Sequence, residues 1–475
     1  MVAIRSSLLQ WPLIIGGPAL PALVQQVTST ADPQAQANVT GDDWQFQLPN
    51  AVQAGNCLKL AAIWPSGSTP TISDPVNGTW PAAVVTADAG AGNCVAGIFV
   101  LPNANAGKTL IKAHFGTSVQ PFSYEICEWW NVDTVSPVNG TSSAANQSGA
   151  SIACGSFTPT VNNDANGGNL IYSFFGFAPV FTSNSPSLWT AGSGQTLLHA
   201  DIGWRGFQGC PKASQYLVQT TQAAINPGVT LTNTAGSYNC VAVALKAASA
   251  GHAKPASGIY INKIIAQGSV FAGTSGYNLQ FPAVGNLRIL VGLASVGLTS
   301  ITDNDTGSKW QGVAGLNHDL WFCPNRGPKP DLDLVLGYTG GAPGRTTFFF
   351  YDVSGAAVSP FDTSTATGLI NLTGQTTASN APIFTPGTSN GLVIATGFTS
   401  GGDLTTTGTG VTGPSGALWD LVVATLSNNS GYMSEGDYLA HFYNPNVTDE
   451  NWNWTQIPGT GTFNAGFDVV SFKGA

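Results

Sequence analysis

The sequence contains few charged residues. Asp, Glu, Lys and Arg make up 8% of its 475 residues, whereas about 25% is usual in globular proteins. Surface helices draw on Ala, Glu, Lys and Leu, with ion pairs between neighbouring turns. Here 58 Gly and 29 Pro interrupt most windows of ten residues. The sequence therefore predicts strands and turns rather than helices.

The chain also has no cluster of positive charge. It contains 15 Lys and Arg against 24 Asp and Glu, for a formal net charge of −9. Binding to a phosphate backbone needs Lys and Arg gathered on one face, and none of these cations forms a run. We therefore expect no nucleic-acid partner.

No long uninterrupted apolar run is present either. A membrane-spanning helix takes about 20 consecutive apolar residues, and the apolar stretch Leu8–Val24 is broken by Pro12 and by the run Gly16–Pro18. The same breaks argue against a secretory signal. The sequence predicts an N-terminal arm at residues 1–39 and no membrane span.

Motifs that carry chemistry are missing as well. The five histidines stand apart, without a second His three or four residues away as on a metal-binding element. No nucleophile signature such as G-x-S-x-G is present. The seven cysteines lack the spacing of zinc ligands, and we interpret them as buried thiols, with a disulfide in an oxidising compartment as the alternative. We expect no catalytic residue and no cofactor.

Two pairs of acidic residues need a closer look. Glu125 and Glu128 have the residue types of a glycosidase pair, but three residues apart on a strand they face opposite ways. We interpret Glu128 as a partnered structural carboxylate. Asp303 and Asp305 alternate as in a calcium loop, without the distal bidentate Glu. A β-turn with Asx hydrogen bonds is favoured there, and a calcium site is the alternative.

What the sequence does contain is an internal repeat. Five landmarks of residues 40–247 recur in the same order, at a nearly constant separation, in residues 273–474. The landmark pairs are Phe46–Pro49 with Leu279–Pro282, Ile72–Trp80 with Ile301–Trp310, Ile98–Asn103 with Leu320–Asn325, Val135–Pro137 with Val358–Pro360, and Val243–Lys246 with Val470–Lys473. Segments of strand period lie between them, such as Leu58–Trp64 and Asp331–Tyr338.

Many short strands separated by Gly, Pro, Asn and Asp turns are typical of antiparallel sandwiches. The sequence thus predicts an all-β fold with two tandem antiparallel β-sandwich domains of the jelly-roll or Ig-like kind. We expect about eight to ten strands in each. The predicted domains are residues 40–247 and 259–475, joined by a linker of small residues at 248–258.

The repeat resembles a known kind of bacterial domain. Its turn Ser73–Trp80 and its segment Ile126–Asn139, which contains Asp-Thr-Val-Ser-Pro, resemble a β-sandwich repeat of secreted and phage-associated bacterial proteins. The second copy departs from the pattern over Phe350–Asp362. The resemblance implies a surface module displayed on virions or outside cells, with no catalytic residues to carry over.

Aromatic side chains give the candidate binding surfaces. Neighbouring residues of a strand face opposite ways, so only one of Trp129 and Trp130 belongs to a core. The outward one is a contact between subunits, a sugar contact or an intramolecular packing residue. Trp452 and Trp454 are the other candidates for a sugar platform.

The favoured function is a virion surface structural protein, such as a capsid decoration or accessory head or tail protein, assembled in the host cytoplasm. Its arm would insert apolar side chains between adjoining subunits of the particle, or of a homo-oligomer. These are Leu8, Trp11, Ile14, Ile15, Leu20 and Leu23. The alternatives are a carbohydrate-binding adhesin that recognises cell-surface glycans and an extracellular filament subunit built by strand addition.

Overall fold

A computed structural model gives the fold. It describes residues 19–30, 43–107, 110–116, 122–179, 188–200, 212–232, 236–248, 258–267, 276–294, 298–316, 319–338, 346–373, 377–378, 384–400, 411–412, 420–429, 432–444, 453–455 and 462–475. Within these residues the regular structure consists of strands and one short 3-10 helix, Asp164–Asn166. The predicted all-β class is confirmed.

The strands fall into two series along the chain. The first series is β1 (Ala22–Thr30), β2 (Asp43–Gln47), β3 (Cys57–Pro65), β4 (Thr71–Asp74), β5 (Gly78–Thr79), β6 (Val85–Asp88), β7 (Cys94–Leu101), β8 (Leu110–His114), β9 (Ser123–Trp130), β10 (Val138–Ser148), β11 (Ser151–Ala153), β12 (Asn169–Phe177), β13 (Leu188–Ala191), β14 (Thr196–Ala200), β15 (Lys212–Gln219), β16 (Gly228–Thr232) and β17 (Ser237–Lys246).

The second series is β18 (Tyr260–Gln267), β19 (Gly276–Ala283), β20 (Leu287–Ala294), β21 (Leu298–Asp303), β22 (Gln311–Gly312), β23 (Asp319–Pro324), β24 (Lys329–Tyr338), β25 (Thr346–Ser354), β26 (Ala356–Thr373), β27 (Thr377–Ala378), β28 (Gly391–Ser400), β29 (Val411–Thr412), β30 (Asp420–Asn429), β31 (Tyr432–Asn444), β32 (Asn453–Thr455) and β33 (Thr462–Gly474).

A ten-stranded central sheet runs through the whole molecule, in the order β22-β23-β20-β25-β18-β1-β9-β3-β7-β6. An eight-stranded sheet, the long outer sheet, has the order β10-β17-β12-β15-β14-β19-β24-β21 and covers one face of the central sheet. The other face is covered by a four-stranded sheet, β2-β8-β4-β5, and a five-stranded sheet, β26-β33-β28-β31-β30. Two three-stranded sheets, β11-β16-β13 and β27-β32-β29, complete the fold.

Burial on both faces explains the composition of the central strands. Successive side chains of a strand point to opposite faces, and strands covered on both sides read as continuous apolar runs. In β3, for example, Leu60 packs toward the four-stranded sheet and Ala61 toward the long outer sheet. All residues of β3 except Pro65 are buried.

The two series have the same strand order. From the middle outward, the central sheet reads β1-β9-β3-β7-β6 in one direction and β18-β25-β20-β23-β22 in the other. Likewise β10-β17-β12-β15-β14 corresponds to β26-β33-β28-β31-β30, β11-β16-β13 to β27-β32-β29, and β2-β8-β4 to β19-β24-β21. Among the described strands, only β5 lacks a counterpart.

Local geometry explains why some landmarks recur. The indole of Trp80 donates to Asp74 at 2.7 Å, and the indole of Trp310 donates to Asp303 at 2.9 Å, so each turn is closed by the same bond. At the end of the third landmark, Asn103 and Asn325 have φ values of 54° and 56°. Asparagine adopts this left-handed conformation more readily than most residues.

Two pairings between strands bear on the predicted organisation. Residues 22–30, assigned to the arm from sequence, form β1, which pairs in parallel with β18 and antiparallel with β9. The two halves are also not separate bodies, because the central sheet crosses from one to the other between β1 and β18. The long outer sheet crosses where Ala200 of β14 pairs with Gln280 of β19.

Candidate functional site

One end of the molecule, here called the leader end, is where β1 and β18 begin. Ala22 at the start of β1 lies opposite Trp130 at the end of β9. Because β18 runs parallel to β1, its first residue Tyr260 lies at the same end, opposite Ser354 of β25. The residues that precede β1, here called the leader (1–21), therefore leave from the middle of the central sheet.

Exposed apolar side chains mark the leader end. Leu20 is 45% exposed, Val284 57%, Val135 88% and Val358 77%. Val135 and Val358 belong to the fourth landmark: Val135 lies in the loop between β9 and β10, and Val358 lies near the start of β26, the strand that follows β25. Single exposed apolar residues are common; here the exposure recurs at corresponding positions of both halves, at Val135 and Val358.

The predicted assembly residues divide into three groups. Leu8, Trp11, Ile14 and Ile15 lie outside the described residues. Leu20 is exposed, as an intermolecular contact requires. Leu23, expected from sequence to insert into a neighbouring subunit, is half-buried: it lies opposite Trp129 and packs against the edge of the core.

Side-chain hydrogen bonds hold β1 in place. Gln25 donates to Glu128 at 2.5 Å and accepts from the backbone N–H of Asn50 at 2.7 Å. Asn56 and the backbone N–H of Gln53 also donate to Glu128. Burial raises the pKa of Glu128, and these three hydrogen bonds oppose the rise. Glu128 is thus a carboxylate with internal partners, inside the layer that also fixes β1.

Glu125 lies on the opposite face, between the central sheet and the long outer sheet. Its carboxylate lies 3.2 Å from Lys59 Nζ and accepts hydrogen bonds from Tyr172 at 2.7 Å and Ser214 at 2.5 Å. Burial would raise its pKa, but Lys59, Ser214 and Tyr172 together lower it to about 2. Both glutamates therefore serve the packing of the sheets.

A row of polar side chains crosses the central sheet on the face toward the long outer sheet. Each member lies beside the next on a neighbouring strand. The row is Lys59, Cys127, Gln26, Lys263, Asp352, Arg288 and Cys323. The strand correspondence makes Gln26 the counterpart of Lys263, Cys127 of Asp352, and Lys59 of Arg288. In a chain with so few charges, this concentration of charged and polar side chains within the core is the most unusual feature of the fold.

A cleft opens beside this row at the leader end. It has a volume of about 810 Å³ and lies between β1, β18 and β25 of the central sheet and β14, β15 and β19 of the long outer sheet. Its walls are mostly apolar and include Leu23, Tyr216, Val218 and Val284. Lys263 and Asp352 also line it, although both are buried.

Lys263 is the cation of this cleft. Its Nζ donates to the backbone carbonyls of Leu198 at 2.8 Å and Pro282 at 3.2 Å. Burial lowers its pKa to about 8, with Asp352 and Glu125 opposing the change. The Asp352 carboxylate accepts from the backbone N–H groups of Val284 and Gly285, each at 2.8 Å. Burial raises the pKa of Asp352 above its ordinary value.

Sequence reasoning missed Lys263 and Asp352, although a signal was present. Each is the one charged residue of its stretch of strand, as in Ile261–Ile265 and Phe348–Val353. In a strand that is covered on both faces, such an isolated charge marks a buried polar group. The same pattern marks Lys59 and Arg288.

The candidate aromatic residues take different positions. Trp129 is fully buried and packs between the central sheet and the long outer sheet. Its neighbour Trp130 is half-buried rather than an exposed anchor. Trp454 belongs to β32, whose backbone pairs with β27 and β29, and Trp452 lies outside the described residues.

The acidic turn at Asp303 and Asp305 is neutralised by arginines. Arg288 lies 2.9 Å from Asp305 and 3.8 Å from Asp303, and Arg326 lies 2.6 Å from Asp305. The backbone N–H of Asp305 donates to the Asp303 carboxylate at 3.0 Å, as in an Asx turn. The carboxylate oxygens that would bind calcium in the alternative interpretation are therefore paired with arginine side chains.

The remaining features of the described part of the chain concern metal-ligating clusters, cysteines and membrane-spanning helices. No three His, Cys, Asp or Glu side chains there come close enough together to hold a metal ion. Six described cysteines are buried, at Cys57, Cys94, Cys127, Cys154, Cys240 and Cys323. No helix among these residues has the length and apolar character needed to cross a membrane.

Comparison with known proteins gives no relative from which a function could be transferred. No protein-family model, no curated protein and no solved structure matches the chain. Its function is therefore argued from its own geometry.

Proposed function

We propose that the chain is a non-catalytic structural protein of a particle surface, such as a virion decoration or accessory head or tail protein, anchored through its leader. The observation that carries the proposal is the place of β1. This strand follows the leader directly and lies in the middle of the central sheet, between β18 and β9. A tether attached there is joined to both halves of the molecule.

The contacts of β1 suit a mechanical anchor. Five residue pairs join it to β18 and seven join it to β9. Tension along the leader acts along both ladders at once, so many backbone hydrogen bonds must break together before β1 is released. The bonds of Gln25 to Glu128 and Asn50 add to this resistance.

The leader end supports the same proposal. Leu20, Val135, Val284 and Val358 are exposed there, and the sequence of the leader contains further apolar residues. Burial of each such side chain against a partner stabilises an interface by about 1.5 to 3 kcal/mol before ordering costs. The partner we propose is another subunit of the particle.

The shared strand order supports a duplicated origin. We infer that each half derives from one sandwich unit of the jelly-roll or Ig-like kind, similar to the repeat of phage-associated surface proteins. In this chain the two units have merged their sheets. A rigid, low-charge body of this kind suits long exposure outside a cell.

The test is localisation of the full-length chain in its native source. An epitope tag at the C-terminus, detected with gold-labelled antibody in negative-stain images, should place the chain on purified particles. A variant lacking residues 2–18 should melt at the same temperature as the full-length chain yet remain unattached.

Three results would contradict the proposal. Equal labelling by the truncated variant would exclude anchoring by the leader. Binding of the purified chain to cell-wall glycans, without attachment to particles, would favour the adhesin alternative. Polymerisation of the purified chain by itself would favour the filament alternative.

A further inference from the structure

The cleft at the leader end has the construction of a binding site for an amphiphile. Its walls are supplied by both halves of the chain: Leu23 and Val24 of β1 face Val218 of β15 and Val284 after β19. Its volume of about 810 Å³ lies within the range of small-molecule sites, roughly 300 to 1,000 Å³. Such walls favour an apolar ligand body.

Among the described residues that line the cleft, Lys263 is the one cation. The side chain is 3% exposed and lines the cleft. An ammonium has three N–H donors, and two of those of Lys263 are used by the carbonyls of Leu198 and Pro282. Asp352 and Glu125 influence Lys263 electrostatically, but neither forms an ion pair with it.

A buried ammonium without an ion-pair partner is costly to maintain. The cost falls when an anion accepts the third N–H, because a hydrogen bond between two charged groups is among the strongest in proteins. The Asp352 carboxylate is not that anion, since it forms no ion pair with Lys263 and instead accepts from the backbone N–H groups of Val284 and Gly285. The third donor is therefore available to a ligand in the cleft.

We propose that this cleft binds an amphiphilic anion, with an apolar chain along its walls and a carboxylate or phosphate head on Lys263. The inference does not rest on the particle-surface function, although Leu20 and Val284 belong both to the cleft and to the surface proposed for assembly. A site of this kind joins the two halves through a shared ligand, because the walls come from both. Binding should accordingly also raise the melting temperature of the chain.

The charges around Lys263 set the expected pH dependence. Glu125 and Cys127 on β9 and Asp352 on β25 act electrostatically on Lys263, and His199 on β14 acts on Glu125. Lys263 loses its proton near pH 8 in the ligand-free protein, so affinity for a head that is already ionised should fall as the pH rises above this value.

The experiment uses the full-length protein and the fluorescent fatty acid cis-parinaric acid, below its micelle-forming concentration. Bound probe should be displaced by oleate, while oleyl alcohol, which has the same chain without the charge, should displace it poorly. Dodecyl phosphate distinguishes the two head groups. Lys263→Met should weaken binding by about tenfold or more, and the exposed-lysine control Lys309→Met should leave it unchanged.

A second variant keeps the proposal testable if Lys263→Met fails to fold. Val218→Trp fills part of the cleft from a half-buried wall position and leaves Lys263 in place, so it should also reduce binding. The proposal is wrong if oleyl alcohol competes as well as oleate, or if Lys263→Met binds the probe like the parent protein. It is equally wrong if the full-length protein does not bind the probe.

Discussion

Glu125 shows how single residues hold the two large sheets together. It is fully buried and joins Lys59 of the central sheet to Tyr172 and Ser214 of the long outer sheet. Nothing in its own stretch of sequence reveals this role, because its three partners come from distant parts of the chain. The sequence shows only a carboxylate inside an apolar strand.

We expect Glu125→Gln to destabilise the protein by about 3 kcal/mol, since removal of one partner leaves the Lys59 ammonium buried and unpaired. The pKa of Glu125 falls from 4.5 when unfolded to about 2 in the fold. The stability difference between parent and variant should therefore be complete above pH 4.5 and shrink as the pH falls toward 2. Urea unfolding at several pH values measures it.

The matched control for this prediction is the double variant Lys59→Met, Glu125→Leu. It removes both charges together and should recover much of the lost stability, because an apolar pair of similar volume can replace a buried ion pair. A double variant as unstable as Glu125→Gln, or a difference that does not change with pH, would show that the ion pair is not the cause.

At the scale of strands, the sequence predicted the all-β class but misplaced β1. The period of Leu58–Trp64 and the turns between short strands identify most strands locally. The pairing of β1 is not local: its partners are β9, about a hundred residues away, and β18, in the other half. A short apolar segment after a proline-broken leader therefore looked like part of an arm.

The position of β1 leads to a prediction about truncation. A variant lacking residues 2–30 should lose cooperative unfolding and aggregate, because removal of β1 exposes the edges of β9 and β18, and unpaired edges template association. The variant lacking residues 2–18, which keeps β1, is its control and should melt like the full-length chain. Circular dichroism melts and light scattering distinguish the two.

This prediction distinguishes a strand within the sheet from a detachable arm. If the variant lacking residues 2–30 melts cooperatively at the temperature of the control, β1 contributes little and its place between β9 and β18 does not support the fold. The proposed anchor would then lose its physical basis as well.

For the whole molecule, the landmarks revealed that the halves repeat but not how they meet. Repetition is visible because turns such as Ser73–Trp80 need particular residues at particular places. The contacts between the halves carry no such signal, since parallel pairing of β1 with β18 and the bond between His441 and the Pro49 carbonyl join stretches that lie far apart in the sequence. Two domains on a linker were therefore the natural expectation.

Because two sheets run through both halves, we expect the halves to unfold in a single transition. We also expect them to remain associated when the chain between them is cut. A protease site inserted at residues 249–257 and cleaved in the folded protein should leave both fragments in one peak on size exclusion, because β1 with β18 and β14 with β19 still join them. Calorimetry of the uncut protein should show a single transition. Fragments that separate without denaturant, or two resolved transitions, would instead mean that the halves are independent domains and that the continuous central sheet does not couple them.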